Sequence, residues 1–545
     1  MGLSAMAPCS TDFREVPAAF PNHLAAPLPL RPELPRAAWW LLGLFVLCLV
    51  PRAVMAWKLA SVCPDGVHYI QLAKALDQGN LREGLRDLRL NTYPVVLVAL
   101  HRAGLDWEVG GKLWGVLISS LVVLPLYGWL RRQFDERVAR LACLLYAVHT
   151  EFIVWSPELM RDPTFWFLAA LSIYLSWRAV TEVRLLLFVA AGAVLALAAA
   201  TRFEGLFFYL PLVGWSFWRW QALAQGRRRL VLGVLVGLAV FPALLAGINL
   251  TLLRGHSQWE WLRVHPLNNV LNWIGALAGS APAPVPPPGA APTVVGPAAP
   301  ISLGRMVEVF VPTLVKAFTP LFGLAWLAGM WKWRRTALRA DHRALGWVVL
   351  VLLAGIWVHL HASQSSCTRF FLPIVLMGSG FAALGMMAWS ARLAAWAERK
   401  RLRQPMRCAA AAMPWALAAG IGLGVSLGSD CSLRAGQANL GRWIQRQFGP
   451  APVLLGTAGC AEVVNHYAQG DCGSFTTDVD DGTIVALAAR RQPHVVVLAL
   501  TKRMAPERCR HLAERLSRLG YARMDAARLP PRCEKMVVLA RRAPP

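Results

Sequence analysis

The sequence is poor in charge: only 16% of its 545 residues are Asp, Glu, Lys or Arg, whereas 56% are hydrophobic. An ordinary soluble protein carries about 25% charged residues. The hydrophobic residues form blocks of roughly 17 to 25, and each block is long enough to cross about 30 Å of hydrocarbon as a helix. Examples are residues 37–57, 113–130 and 230–250. The composition therefore excludes a soluble globular protein and indicates an integral membrane protein.

Acidic residues are especially scarce, with 30 Asp and Glu against 56 Lys and Arg and a formal charge of +26. In a soluble protein this excess would suggest nucleic-acid binding. Here the cations cluster between the apolar blocks, and the chain lacks the patterns of a zinc finger, a helix-turn-helix or an aromatic RNA-binding sheet. Basic flanks of membrane helices explain the excess, so we expect no nucleic-acid partner.

Sequence patterns that bind transition metals are also missing. The 11 cysteines include no Cys-x-x-Cys pair, and the histidines form no His-x-x-x-His or His-Glu helix pattern. We therefore interpret His68, His359 and His361 as surface histidines rather than zinc ligands. No metal site and no cofactor are expected, although a divalent metal stays open.

Apolar runs and the residues that interrupt them predict about eleven membrane-spanning helices. Cationic clusters fall in every second connection, which places the N-terminus in the cytoplasm and the first long loop outside. The polar segments of interest, including residues 155–162 and 362–368, then share the outer side. The predicted spans are residues 38–57, 112–130, 139–155, 163–179, 184–201, 204–220, 229–250, 309–331, 345–361, 368–390 and 408–428.

The predicted chain has three parts: a cytoplasmic tail (1–37), a transmembrane domain (38–428) and an outer domain (429–545). The first apolar segment lacks a small-residue cleavage site, so we expect it to be retained as a span. Two outer loops stand out, the long first loop (58–111) and a Pro-rich loop (251–308).

The outer domain alternates strand-like and helix-like segments, which predicts a small α/β domain. Strand-like runs occur at Pro452–Leu455, His494–Leu500 and Lys535–Ala540, and a helix-like run occurs at Pro506–Leu519. Under the predicted topology its cysteines face an oxidising compartment, which allows one or two disulfides without specifying their pairing. These cysteines are Cys431, Cys460, Cys472, Cys509 and Cys533.

Two ionisable residues are placed unusually. Asp65 directly precedes an amphipathic helix in the first outer loop, where it suits either a helix N-cap or a functional carboxylate, and spacing alone favours the cap. Arg52 lies inside the first predicted span, where an ionisable residue is costly and usually faces a cavity or a partner. Pairing of Arg52 with Asp162 or Glu204 would account for it.

Several short motifs recur in a characteristic order: Asp65 with Tyr69 four residues later, Tyr93-Pro94, residues 131–139, 156–163 and 201–205, and Thr368 to Pro373. Together they resemble membrane glycosyltransferases of the GT-C type, namely the protein mannosyltransferases and lipid A aminoarabinose transferases of glycosyltransferase families 39 and 83. The resemblance covers residues 38–390. Gly66 stands where the family commonly has an acidic residue, and Phe203 where it has a proline. The first departure puts a bound metal in doubt.

This resemblance implies a polytopic α-helical, GT-C-like membrane protein in the bacterial plasma (inner) membrane. It implies transfer of a sugar from a polyprenyl-phosphate donor to a lipid, glycan or protein acceptor on the extracytoplasmic face, with inversion. Asp65 would be the catalytic base. The donor phosphate would bind Arg202, Arg369 and Arg52, although for Arg202 and Arg369 snorkelling to lipid head groups is an equal alternative. Substrate-orienting roles would fall to Tyr69, Asp162, Glu204 and His68.

Two other classes of function stay open from the sequence. A transporter or lipid flippase also needs many spans, but the chain lacks two halves with matching Gly/Pro-interrupted helices. The third possibility is a non-catalytic membrane scaffold whose outer domain binds a partner. Replacement of Asp65 by Asn distinguishes them, because only an enzyme would lose transfer while staying folded.

Overall fold

We analysed a computed structural model of the chain, in which residues 34–80, 92–251, 302–363, 366–501 and 504–541 are described. Residues 1–33 of the predicted cytoplasmic tail, residues 81–91 of the first outer loop and residues 252–301 of the Pro-rich loop lie outside these ranges. The described residues form a helical membrane domain followed by a small α/β domain. The helices of the membrane domain are α1 (Leu34–Lys58), α2 (Pro64–Asp77), α3 (Tyr93–Arg102), α4 (Trp107–Leu121), α5 (Val123–Gln133), α6 (Glu136–Val148), α7 (Thr150–Trp155), α8 (Asp162–Glu182), α9 (Leu185–Thr201), α10 (Tyr209–Ala222), α11 (Arg227–Thr251), α12 (Leu303–Phe318), α13 (Pro320–Lys332), α14 (Arg334–Ala337), α15 (Ala340–Ser363), α16 (Leu372–Arg399) and α17 (Gln404–Leu427).

Within the described chain, five helical segments are long and apolar enough to cross a membrane by length and composition. The pair α12 and α13, which bends by 85°, would make a sixth. Each of the eleven predicted spans falls on a helix or on two consecutive helices. The number eleven stays a prediction, because several of these helices are short: α6 has 13 residues and α10 has 14. The chain is thus a mostly helical, multi-pass membrane protein.

Helix α16 forms the centre of the membrane domain, and every residue from Leu372 to Ala388 is buried. Its glycines allow α13 to pack against it at very short range. A Cβ atom added to Gly385 would lie 1.9 Å from the carbonyl oxygen of Ala325, and one added to Gly329 would lie 1.9 Å from the carbonyl oxygen of Phe381. Only glycine fits at these two crossings.

The C-terminal part confirms the predicted small α/β domain. Its helices are α18 (Ser432–Phe448), α19 (Cys460–Ala468), α20 (Asp481–Arg491) and α21 (Pro506–Ser517). Its strands are β1 (Val453–Thr457), β2 (Asp471–Phe475), β3 (Val495–Ala499), β4 (Tyr521–Arg523) and β5 (Met536–Arg541).

The five strands form one sheet in the order β2-β1-β3-β5-β4, with β1, β2 and β3 parallel and β5 antiparallel to both neighbours. All five residues of β3 are buried, as expected for a strand that packs on both faces. The five cysteines of this domain carry free thiols, so the disulfides that the sequence allowed are not formed in this structure.

The α/β domain packs against the start of α2. Val463 and Tyr467 of α19 share a hydrophobic cluster with Val62 and Val67. The Tyr467 hydroxyl donates to the Glu108 carboxylate at 3.0 Å and accepts a hydrogen bond from the backbone N–H of Val62 at 3.1 Å. The domain therefore contacts the backbone three residues before Asp65.

Candidate active site

Asp65 is the second residue of α2, and it does not cap this helix. The N-cap is Cys63, whose sulfur accepts a hydrogen bond from the backbone N–H of Gly66 at 3.2 Å. The cap interpretation that spacing favoured is therefore wrong. The Asp65 side chain is 43% exposed, and its Oδ2 lies 2.7 Å from Nη1 of Arg369. The pairing leaves much of the carboxylate accessible to another molecule.

The departure at Gly66 has a steric cause. A Cβ atom at this position would lie 2.8 Å from the Cβ of Leu159 and 3.2 Å from the carbonyl oxygen of Leu159. A second carboxylate beside Asp65 therefore does not fit. Throughout the ranges that the structure describes, no group of three or more His, Cys, Asp or Glu side chains is placed to hold a metal ion.

Arg202 occupies the centre of a second set of ion pairs. It follows the last residue of α9, and its Nη1 lies 2.6 Å from Oδ1 of Asp162. Its other edge binds Glu204 in a bidentate way, at 2.6 Å through Nη2 and 3.2 Å through Nε. The side chains of Arg202 and Asp162 are only 8% and 4% exposed, so both charges are removed from bulk water.

The two sets of ion pairs are neighbours. The ring of Phe370 lies 5.3 Å from the guanidinium of Arg369 and 5.3 Å from that of Arg202. Residues predicted on four separate outer segments thus meet at one end of the helical bundle. We call Asp65, Asp162, Arg202, Glu204 and Arg369 the carboxylate–guanidinium cluster.

Tyr69 follows Asp65 by about one helical turn and is buried, with its ring 5.3 Å from that of Tyr93 in an edge-on arrangement. Burial raises the pKa of its hydroxyl, and the positive charge of Arg161 opposes this rise. His68 is exposed, with its ring 6.2 Å from that of Tyr69. Tyr69 therefore lies beside the cluster, whereas His68 lies on the exposed surface of α2.

Arg52 requires a correction, because it does not pair with Asp162 or Glu204. Its guanidinium is fully buried and donates to the carbonyl oxygens of Cys48 at 2.9 Å and Ala147 at 3.2 Å, and to the Ser156 hydroxyl at 3.1 Å. A side chain with no exposed surface and with its donors bound to backbone carbonyls does not reach a phosphate. Arg52 joins α1 to the end of α6 instead.

Comparisons with known proteins agree with this architecture. Residues 105–245 match the family model described as dolichyl-phosphate-mannose-protein mannosyltransferase. The match covers about a quarter of the chain, and over this part the chain is similar to that family. The chain is a membrane glycosyltransferase. It belongs to the glycosyltransferases that take the sugar from a lipid-phosphate donor. No curated protein matches the sequence.

Solved structures place the glycosyltransferase in the GT-C fold. ArnT from Cupriavidus metallidurans in the apo state has a TM-score of 0.53 at 14% identity, over 93% of this chain and 98% of that one. ArnT bound to undecaprenyl phosphate has a TM-score of 0.50 with the same identity and coverage. The apo oligosaccharyltransferase of Archaeoglobus fulgidus has a TM-score of 0.51 at 11% identity, over 90% of this chain and 74% of that one.

The structure adds residues of the glycosyltransferase that the sequence did not single out as site residues. Glu151 is buried at the N-terminal end of α7 and accepts hydrogen bonds from Thr368 and from Trp155, the latter at 3.0 Å. The ring of Trp155 lies 5.8 Å from the Arg369 guanidinium. A Glu followed four residues later by Trp on a short helix is a weak signal, so only the fold places Glu151 behind the cluster.

Arg434 links the α/β domain to the same region. Its Nη1 donates to the carbonyl oxygen of Val62 at 2.7 Å, and its Nη2 lies 3.3 Å from the Glu158 carboxylate. Burial raises the pKa of Glu158, although Arg434 opposes this effect. No sequence pattern points from residue 434 to residue 158, since 276 positions separate them.

Proposed function

We propose that this glycosyltransferase moves a sugar from a polyprenyl-phosphate donor to a hydroxyl of a lipid, glycan or protein acceptor, with inversion, at the extracytoplasmic face. One observation carries the proposal: a half-exposed carboxylate, Asp65, pairs with the Arg369 guanidinium, and the Arg202 guanidinium lies against the same Phe370 ring as Arg369. A base and fixed cations are what such a displacement needs.

Asp65 is the proposed general base. An acceptor hydroxyl attacks the anomeric carbon while its proton passes to the Asp65 carboxylate, and the bond from the sugar to the phosphate oxygen breaks on the opposite face. One displacement of this kind inverts the anomeric centre and needs no covalent sugar intermediate. The ion pair with Arg369 orients Asp65, and 43% exposure of the carboxylate gives the acceptor access to it.

Guanidiniums stabilise the leaving group in this proposal. Negative charge grows on the phosphate as the sugar departs, and a planar guanidinium binds phosphate oxygens through two parallel hydrogen bonds. Arg369 is suited to this role because it is partly exposed and its neighbour Asp65 sits at the reacting centre. Arg202, with Asp162 and Glu204, forms the wall behind it. Arg52 has no part in this role, because its guanidinium is fully buried and donates to backbone carbonyls.

The donor class rests on the family and on one relative. The family description names a dolichyl phosphate, and the ArnT structure from Cupriavidus metallidurans holds undecaprenyl phosphate. Dolichyl phosphate and undecaprenyl phosphate are both polyprenyl phosphates, so they present the same phosphate group to the enzyme. The extracytoplasmic placement follows from the positive-inside rule, since the basic loops are predicted at the other side of the membrane.

The test is Asp65→Asn, with Asp77→Asn on the same helix as its matched control, because Asp77 is bound to Arg102 at the surface. Purified protein is incubated with a panel of polyprenyl-phosphate sugars and acceptors, and release of the polyprenyl phosphate is followed. Loss of a general base should lower the rate about 10²- to 10⁴-fold in the first variant and leave the second unchanged. Equal turnover by D65N and the parent would refute the role of Asp65. No turnover of any donor by the parent would count against the proposed substrates.

A further inference from the structure

The carboxylate–guanidinium cluster has an unfavourable charge for an anionic donor. It contains three carboxylates and two guanidiniums, and each guanidinium is already paired: Arg369 with Asp65, and Arg202 with both Asp162 and Glu204. A phosphate that entered would meet a net charge of −1 from these five groups. Recruiting Arg202 would also strand a buried carboxylate, which is strongly unfavourable. A further cation beside the cluster would therefore favour binding of the donor phosphate.

Arg161 supplies this cation. The residues on either side of it both touch the cluster: the sulfur of Met160 lies 2.7 Å from Nη1 of Arg369, and Asp162 binds Arg202. The guanidinium of Arg161 forms no hydrogen bond or ion pair with any residue in the described ranges, although the side chain is half-buried. Its positive charge acts on Tyr69 and on Glu204, and Glu204 belongs to the cluster.

We propose that Arg161 is the first ligand of the donor phosphate. This inference rests on the proposed function and assigns one step of it to a specific residue. With Arg161 added to the five groups of the cluster, three cations balance three carboxylates. Of these three guanidiniums, that of Arg161 has no protein partner, so it is the one that binds the incoming phosphate. Its charge-assisted hydrogen bond strengthens as the sugar leaves and the phosphate gains charge, so it contributes more in the transition state than in the ground state.

Binding of the product carrier tests this assignment apart from catalysis. The probe is undecaprenyl phosphate, titrated in detergent against the parent, Arg161→Gln and Arg161→Lys, with undecaprenol as the uncharged control. Loss of one charge-assisted contact should weaken binding of the phosphate about 10- to 100-fold in R161Q. R161K, which keeps the charge but loses the planar fork, should fall between R161Q and the parent. Binding of undecaprenol should be the same in all three proteins.

Two further readouts separate binding from folding. Because Arg161 has no partner in the described structure, R161Q should unfold at the same temperature as the parent. Arg102→Gln, which removes an exposed guanidinium on α3, should leave undecaprenyl phosphate binding unchanged. If the parent binds the phosphate and R161Q binds it equally well, the role of Arg161 is refuted while the proposed function stands. If the parent itself prefers undecaprenol, the polyprenyl-phosphate donor fails instead.

Discussion

Removal of the Arg202 guanidinium should destabilise the fold more than any other single change in the cluster. In Arg202→Met the chain keeps Asp162, which is 4% exposed and was held at 2.6 Å, as a buried charge without its partner. Loss of one partner of a buried ion pair costs about 3–5 kcal/mol of unfolding free energy. Glu204 adds little to this cost, since its side chain is 32% exposed and regains contact with water.

Equilibrium unfolding in a mild detergent measures this effect. The informative comparison is between R202M and the double variant R202M/D162N, because the second change removes the stranded charge. The double variant should recover most of the lost stability, which gives a coupling energy of the same size as the destabilisation. Asp162→Asn alone should be mild, since Arg202 keeps Glu204. An R202M protein as stable as the parent, or a double variant no better than R202M, would refute this account of the cluster.

Three further predictions concern packing and the α/β domain. Gly385→Ala should lower stability by about 1–3 kcal/mol because the new methyl group meets the backbone of α13, and thermal unfolding should show no such loss for Gly420→Ala, which has open space around it. Arg434→Met should loosen the α/β domain, because Glu158 and the backbone before α2 lose their donor, and limited proteolysis should release the domain faster than from the parent. Stability should also fall as the pH rises above the ordinary Glu pKa of 4.5, because burial raises the pKa of Glu158 and the folded protein holds that proton more tightly. Glu158→Gln should reduce this pH dependence, and an identical pH profile in the variant would contradict it.

Local patterns predicted the helices and the type of the C-terminal domain well. Runs of apolar residues and their breakers placed every predicted span on a helix, because hydrophobic length is a property of contiguous sequence. Some ends were misplaced: α16 continues to Arg399, whereas the predicted span ends at residue 390. Strands β1, β3 and β5 were predicted for the same reason, whereas β2 and β4 were missed. Asp471–Phe475 mixes polar and apolar residues, and Tyr521–Arg523 has only three residues, so neither shows strand periodicity.

The candidate site was predicted in its members but not in its pairings. Order along the chain suggested that Asp65, Arg202 and Arg369 share one side, yet which carboxylate meets which guanidinium depends on how distant helices pack. Arg52 illustrates the difference: its burial was expected, but its partners are backbone carbonyls at the end of α6 rather than carboxylates. Likewise, the cap of α2 is a cysteine, a residue that statistical preferences for N-caps do not favour.

The hydrogen bond from Arg434 to the carbonyl oxygen of Val62 limits how the chain can be shortened for experiments. A shortened chain that ends after α17 would retain every residue of the cluster, but the backbone leading into α2 would lose its hydrogen bonds to Arg434 and Tyr467. The activity of such a fragment would therefore reflect a misaligned catalytic loop rather than the native membrane domain. The last fifth of the chain therefore acts as a structural part of the enzyme and should be kept in any design of shorter variants.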